Sequence, residues 1–395
     1  MRIAVFDYKV IATNPAGGVH RRLLDALADE HEFVVFATRF DNPRPDRIRF
    51  VRVPVPTRPL ALLFVAYHLV APLCFWFERL RFGRRFDLVQ SVECNCPLRS
   101  DVIYAHFCHT AFVREHLAIV GHGLRGFLRA LDHQLHALIE RWSFRRAGML
   151  VCPSHGLAEE IGRLFPEVSH KLRLLPNPID VARLRRPDHF DRAGFRAALG
   201  VAESDTLLVF SALGHFERKG LPLLLQAMTR IDRDDLKLNV VGGERELVEA
   251  YRGKLRKLGL LERVILSGKT DDVRPHLWSA DAFVFPSSYE TFSLSTFEAA
   301  AAGLPLLVTR LHGVEQLLRD GRNGFLLERS VEGVRRGMEK LMNLSASQRA
   351  MLGEQAQRDV RDYDVDNFVR RWRATYGEPG NATVATAAAV VDRRV

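Results

Sequence analysis

Read from its first residue, the chain alternates short continuous apolar runs with longer stretches whose apolar positions recur every three or four residues. The run "RIAVFDY" leads through the turn "NPAGGV" into the helical pattern "HRRLLDALADEH". Further strands are predicted at "EFVVFAT", "IRFVRVPV", "DLVQSV", "DVIYAH" and "GMLVCPS", with a long basic helix, "LRGFLRALDHQLHALIERWSFRRAG", among the connections. The pattern breaks at "LRLLPNPID", where two prolines flank Asn177. A second alternating set follows: "TLLVFSA", the helix "LPLLLQAMTRI", then "KLNVVGG", "RVILSG", "AFVFPSS" and "LPLLVTR". Strands that are apolar throughout belong to parallel sheets covered on both faces. The expectation is an α/β protein of two Rossmann-like domains facing a cleft, over residues 1–175 and 176–360. A C-terminal helix over 361–380 is expected to return to the first domain. The tail from Asn381, "NATVATAAAVVDRRV", has no core pattern and reads as disordered.

The stretch "LALLFVAYHLVAPLCFWF" changes the picture only if it spans a membrane. As a helix it would reach about 27 Å, marginal against a hydrocarbon core of about 30 Å. Spanning would also separate "RIAVFD" from "DLVQSV" and split one sheet across a bilayer. A buried or surface-lying helix is therefore expected. The opening "MRIAVFDYKVIA" reads as a strand and not as a signal peptide. Five cysteines without paired spacing argue for a reducing, cytoplasmic setting, and Cys94-x-Cys96 lacks the further ligands of a zinc site.

Net charge is +10 with a pI near 9.7, which favours anionic partners. Nucleic acid is disfavoured, because the arginines are dispersed and no nucleic-acid-reading module is present. The segment "ERLRFGRRFD" and the helix from Leu124 to Arg146 set arginines beside Phe, Leu and Trp. That pattern suits peripheral contact with an anionic membrane, or equally a core helix with a solvated basic face.

Two glycine-bearing turns join a strand to a helix: "NPAGGVHRR", with Gly17 and Gly18, and "LGHFERKGLP", with Arg218 and Lys219. Amides at a helix N-terminus attract phosphate, and glycine allows close approach. Neither turn fits the dinucleotide fingerprint or the P-loop. In "PSSYETFSLSTFEAAAAGLP", Glu290 precedes a helical run and Glu298 lies inside it. A carboxylate facing a core needs a partner. One reading makes Ser295-x-x-Glu298 a capping box.

Taken in order, "RKG", E-x7-E at Glu290 and Glu298, "AAAAGLPLLVT", "GVEQLLRDGRNGFLLE" and the interdomain "LLPNPID" resemble the GT-B glycosyltransferases of family 4, retaining enzymes that use nucleotide sugars. The "GHFERKG" loop is similar to that of lipopolysaccharide-core glucosyltransferases. The resemblance covers nearly the whole chain, the N-terminal half in outline. It departs from the family at Thr291-Phe292-Ser293, where Gly-Phe-Gly is common, and in lacking Gly-Arg at the start of the phosphate loop. The resemblance implies that Glu298 accepts hydrogen bonds from both ribose hydroxyls of the donor. Glu290 would lie near the donor sugar, and the amides of Phe292, Ser293 and Leu294 near its diphosphate. Arg218 and Lys219 would stabilise the leaving group without metal. His106, with His109 as its rival, would reach the donor sugar. No cofactor is implied beyond a nucleoside-diphosphate sugar as co-substrate, with a UDP-sugar favoured. The partners implied are that donor, a cell-envelope glycan or lipid-linked acceptor, and an anionic membrane surface. Left open are a sugar-nucleotide hydrolase or epimerase and a catalytically silent nucleotide-binding protein.

Overall fold

The computed structural model describes residues 1–117 and 123–377. The chain divides into two compact units, Met1–Asn177 with the segment from Asp366 onward, and Pro178–Val365. The tail over 381–395, expected to be disordered, lies outside the described residues.

The first unit contains β1 (Arg2–Phe6), β2 (Lys9–Val10), α1 (Pro15–Leu27), β3 (Glu32–Ala37), β4 (Arg39–Phe40), β5 (Arg49–Arg52) and α2 (Leu60–Phe82). It continues with β6 (Leu88–Val92), β7 (Val102–Tyr104), α3 (His109–Glu115), α4 (Gly123–Arg146), β8 (Met149–Cys152), α5 (His155–Leu164) and β9 (Leu172–Leu174). Seven strands form a parallel sheet in the order β5-β3-β1-β6-β7-β8-β9. Every residue of "RIAVF" in β1 is buried, as a strand covered on both faces requires.

α2 has the length and apolar composition of a membrane span, yet Leu63, Tyr67, Ala71 and Phe75 pack on Phe6, Val34 and Phe36 of the sheet. The Tyr67 hydroxyl donates to the Phe36 carbonyl at 2.6 Å. Strands from both before and after α2 lie in that one sheet, so the helix lies on the sheet and does not cross away from it.

The glycine turn "NPAGGV" is helical where a turn is expected. Asn14 caps α1, its side chain accepting from the Gly17 amide, and Pro15 takes the first helical position, so Gly17 and Gly18 fall within the first turn. A Cβ on Gly17 would sit 2.6 Å from the Lys9 carbonyl oxygen and 3.1 Å from the Ile11 nitrogen. Glycine is therefore required for packing against β2, which pairs with β4 in a separate two-stranded sheet. Gly17→Ala should cost about 1–2 kcal/mol, within the range for overpacking, measured as a lowered denaturation midpoint with unchanged slope.

The second unit holds α6 (Val181–Leu184), α7 (Arg192–Ala198), β10 (Thr206–Ser211), α8 (Leu221–Met228), β11 (Leu236–Val241), α9 (Arg245–Leu258), β12 (Val264–Gly268) and α10 (Arg274–Ser279). Then come β13 (Ala282–Phe285), α11 (Leu294–Ala301), β14 (Leu306–Thr309), α12 (Val314–Leu317), β15 (Gly324–Leu327), α13 (Val331–Met342) and α14 (Ala346–Asp359). Its six-stranded parallel sheet runs β12-β11-β10-β13-β14-β15. The last helix, α15 (Val365–Gly377), belongs to the first unit. It buries Phe368, Trp372 and Tyr376 in that unit's core, and the Tyr376 hydroxyl donates to Gln90 at 2.6 Å.

Candidate active site

In the second unit the chain runs outward from β10 through β11 to β12, then returns to β13 on the other side of β10. The two loops that leave adjacent strands β10 and β13 therefore diverge at a topological switch point, where open α/β sheets bind ligands. Arg218 and Lys219 end the first loop, and Glu290 sits on the second.

These loops are stitched together. Gly220 caps α8 at φ 83°, and a Cβ there would lie 2.1 Å from the Pro286 carbonyl oxygen, so only glycine permits this approach. The amide and hydroxyl of Ser288 both donate to the Arg218 carbonyl, at 3.0 and 3.1 Å. Lys219 Nζ donates to Glu290 Oε1 at 2.5 Å, and Ser287 Oγ donates to the same oxygen at 2.9 Å. Arg218 Nη1 lies 3.5 Å from that oxygen and donates to the Tyr289 carbonyl at 2.5 Å. Burial pulls the Lys219 pKa below its ordinary value, opposed by the Glu290 carboxylate. Two cations thus share one carboxylate oxygen and leave net positive charge at the switch point. Ser287, whose carbonyl accepts from Thr309 Oγ1 at 2.7 Å, was not singled out from sequence. A hydroxyl residue just past an apolar strand is the signal that marks it.

The loop continues into α11. Ser293 caps this helix in the left-handed region, at φ 49° and ψ 56°, without a side-chain cap hydrogen bond. A non-glycine residue there carries about 1–3 kcal/mol of strain, of the kind concentrated at binding sites. The buried Phe292 ring stacks on Phe297 at 4.3 Å, fixing the turn. Phe292, Ser293 and Leu294 thus stand at the positive end of the helix dipole. Because Leu294 already opens the helix, Ser295 lies inside it and cannot cap it, which overturns the capping-box reading of Glu298. Glu298 is half-buried within the first turns of α11.

Gly17, Gly18 and His106 belong to the first unit. His106 follows β7, is buried, and packs its ring on Tyr104 at 3.9 Å between centroids. Among the described residues its Nε2 has no hydrogen-bond partner. Burial, with His20 nearby, pushes its pKa down to about 3, so it is a neutral imidazole at working pH. His109 differs, because its ring nitrogens meet Glu93 at 3.1 Å and His133 at 3.0 Å.

Residues 204–343 match the family model described as glycosyl transferases group 1, and residues 17–183 match that of glycosyltransferase family 4. The chain is 31% identical over 200 residues to the lipopolysaccharide core biosynthesis glycosyltransferase LpsE of Rhizobium meliloti (strain 1021). That match covers 50% of this chain and 55% of LpsE, so it spans little more than half of the relative. Among solved structures, WaaG, a glycosyltransferase involved in lipopolysaccharide biosynthesis, superposes with a TM-score of 0.75 at 18% identity, covering 94% of this chain and 99% of that one. HepE of Anabaena, solved in complex with UDP and glucose, gives a TM-score of 0.69 at 17% identity, covering 96% of this chain and all of that one. At these identities the structural likeness speaks for the shared fold.

Proposed function

Because the chain belongs to the group 1 and family 4 glycosyltransferases of GT-B fold, we propose that it moves a sugar from a nucleoside-diphosphate donor to a cell-envelope glycan or lipid-linked acceptor with retention of anomeric configuration. The observation that carries this reading is the Arg218–Lys219 pair beside the positive end of α11 at the switch point of the second unit. Such a site suits a diphosphate, whose charge grows as it leaves. A UDP-sugar is favoured, since the similar HepE was solved with UDP-glucose.

In the proposed reaction the acceptor oxygen bonds to the anomeric carbon as the bond to the donor's phosphate oxygen breaks. The electron pair leaves with the nucleoside diphosphate, facing Arg218 and Lys219, and a phosphate oxygen takes the acceptor's proton. Glu290 holds both cations in place, and Glu298 binds the ribose. His106, being neutral, can offer a hydrogen bond and no charge. The leaving group meets fixed cations, so that step calls for no metal.

Incubating the purified full chain with UDP- and GDP-sugars, with and without lipopolysaccharide-core or lipid-linked acceptors, tests the reading. The expected result is acceptor-dependent release of nucleoside diphosphate. Equal release without acceptor would establish a hydrolase, and the absence of any donor-induced thermal shift would leave the transferase reading without support.

The acceptor's proposed class agrees with the outer face of α2. Leu62, Val65, Leu69, Leu73, Trp76 and Phe77 are exposed there at helical spacing. Arg81, Arg84 and Arg85 stand exposed at the helix end and just beyond it. This combination fits the surface of an anionic bilayer. The chain should co-sediment with anionic vesicles and be released by salt. Arg84→Gln with Arg85→Gln should weaken binding by about 1 kcal/mol per residue, roughly fivefold each. Equal binding to neutral vesicles would refute the electrostatic part.

A further inference from the structure

The first unit has its own switch point, between β1 and β6. Glu93 follows β6 directly and adopts φ 49°, the left-handed region that a residue with a side chain rarely enters. Its Oε2 lies 3.1 Å from His109 Nε2. One donor atom each from Glu93, His109 and His136 falls within 4.8 Å of the others. His109 and His136 are buried, with side chains 8% and 4% exposed, while Glu93 is 19% exposed and leaves the cluster a route to solvent.

The far side of each imidazole is already occupied. His136 Nδ1 donates to the Asp132 carbonyl at 2.8 Å, and His109 Nδ1 meets His133 Nδ1 at 3.0 Å. Metal-binding histidines have one nitrogen fixed by an outer partner in this way, and here the inner nitrogens face Glu93 and Tyr8, contacts that an ion would replace. His136 Nε2 lies 3.2 Å from the Tyr8 hydroxyl, which stands at the end of β1. Two imidazole nitrogens and one carboxylate form a donor set of the zinc class, and not the all-oxygen set that magnesium or calcium prefers.

We propose that Glu93, His109 and His136 bind one divalent transition-metal ion of the zinc class, with the fourth position beside the Tyr8 hydroxyl taken by water. Tetrahedral coordination at bonds of about 2.1 Å puts donor atoms about 3.4 Å apart. The Glu93–His109 pair, at 3.1 Å, is close to that spacing. The His136 ring stacks on His109 at 4.3 Å and 11°, so binding requires it to turn until its nitrogen faces the ion. The ion ties the end of β6 to α3 and α4, which supply Glu93, His109 and His136 in turn. The site is independent of the transferase reading, and its test needs no turnover.

The full chain, free of any histidine tag, is stripped with a chelator and titrated with Zn2+, with Co2+ and with Mg2+. The expected result is about one Zn2+ per chain with a raised melting temperature, a four-coordinate Co2+ visible spectrum, and no response to Mg2+. Glu93→Gln and His136→Gln should each weaken Zn2+ binding at least about tenfold and abolish the thermal shift. Changing the exposed His170 to Gln should alter neither. Glu93→Gln keeps the size and polarity of the side chain, so it reports on the ion even if His136→Gln folds poorly. Wild-type affinity in Glu93→Gln, or no stoichiometric Zn2+ on the intact chain, would overturn the proposal.

Discussion

Lys219→Met is expected to reduce both stability and donor use, and the two losses are separable. The Lys219 and Glu290 side chains are only 17% and 11% exposed. Without Lys219, the Glu290 carboxylate keeps the Ser287 hydroxyl at 2.9 Å and Arg218 at 3.5 Å. Breaking a buried ion pair on one side costs about 3–5 kcal/mol, and the remaining Arg218 should hold the loss near the lower end. The donor diphosphate also loses a charge-assisted contact, roughly 1.5–3 kcal/mol, or about ten- to a hundredfold in kcat/KM. Lys219→Met combined with Glu290→Gln removes the stranded charge. It should recover most of the stability in a denaturant titration while donor use stays low. A single variant that loses stability but turns over the UDP-sugar normally would make the pair a strut between two loops and nothing more.

The parts of this architecture that were legible in the sequence are those fixed by local pattern. The strands on either side of the switch point, β10 and β13, are uninterrupted apolar runs, and the cations and Glu290 follow them within a few residues. What could not be read depends on pairings between distant positions. Gly17 must be glycine because the Lys9 carbonyl approaches it, and β2 is a two-residue strand whose partner, β4, lies about thirty residues further on. Lys219 and Glu290 are 71 positions apart, and no spacing rule announces their ion pair. Glu93, His109 and His136 come from a strand end and two helices, so no ligand-spacing motif could reveal them. α2 misleads for another reason: its buried and exposed faces are both apolar, so its sequence carries no amphipathic stripe to set its orientation.

Glu298→Gln should weaken donor binding while leaving the fold nearly as stable. The helix loses little, because Gln and Glu have similar helical propensity and the cap of α11 is Ser293 in a left-handed turn, not Ser295. A stability role through a capping box is thereby removed, and any thermal loss would have to come from the surroundings of this half-buried side chain. As the proposed ribose ligand, a carboxylate presents two acceptor oxygens to two hydroxyls. Glutamine offers one acceptor and one donor, and it carries no charge. The expected penalty is the charge-assisted part of the pair, roughly 1.5–3 kcal/mol, or about ten- to a hundredfold in affinity. Calorimetry with the nucleoside diphosphate alone should register nearly the full loss, since the ribose is present without the sugar. Paired with Lys219→Met, the two losses should add if each residue holds a different part of the donor. Unchanged nucleotide affinity in Glu298→Gln would remove Glu298 from the donor site and leave the Arg218–Lys219 pair as its anchor.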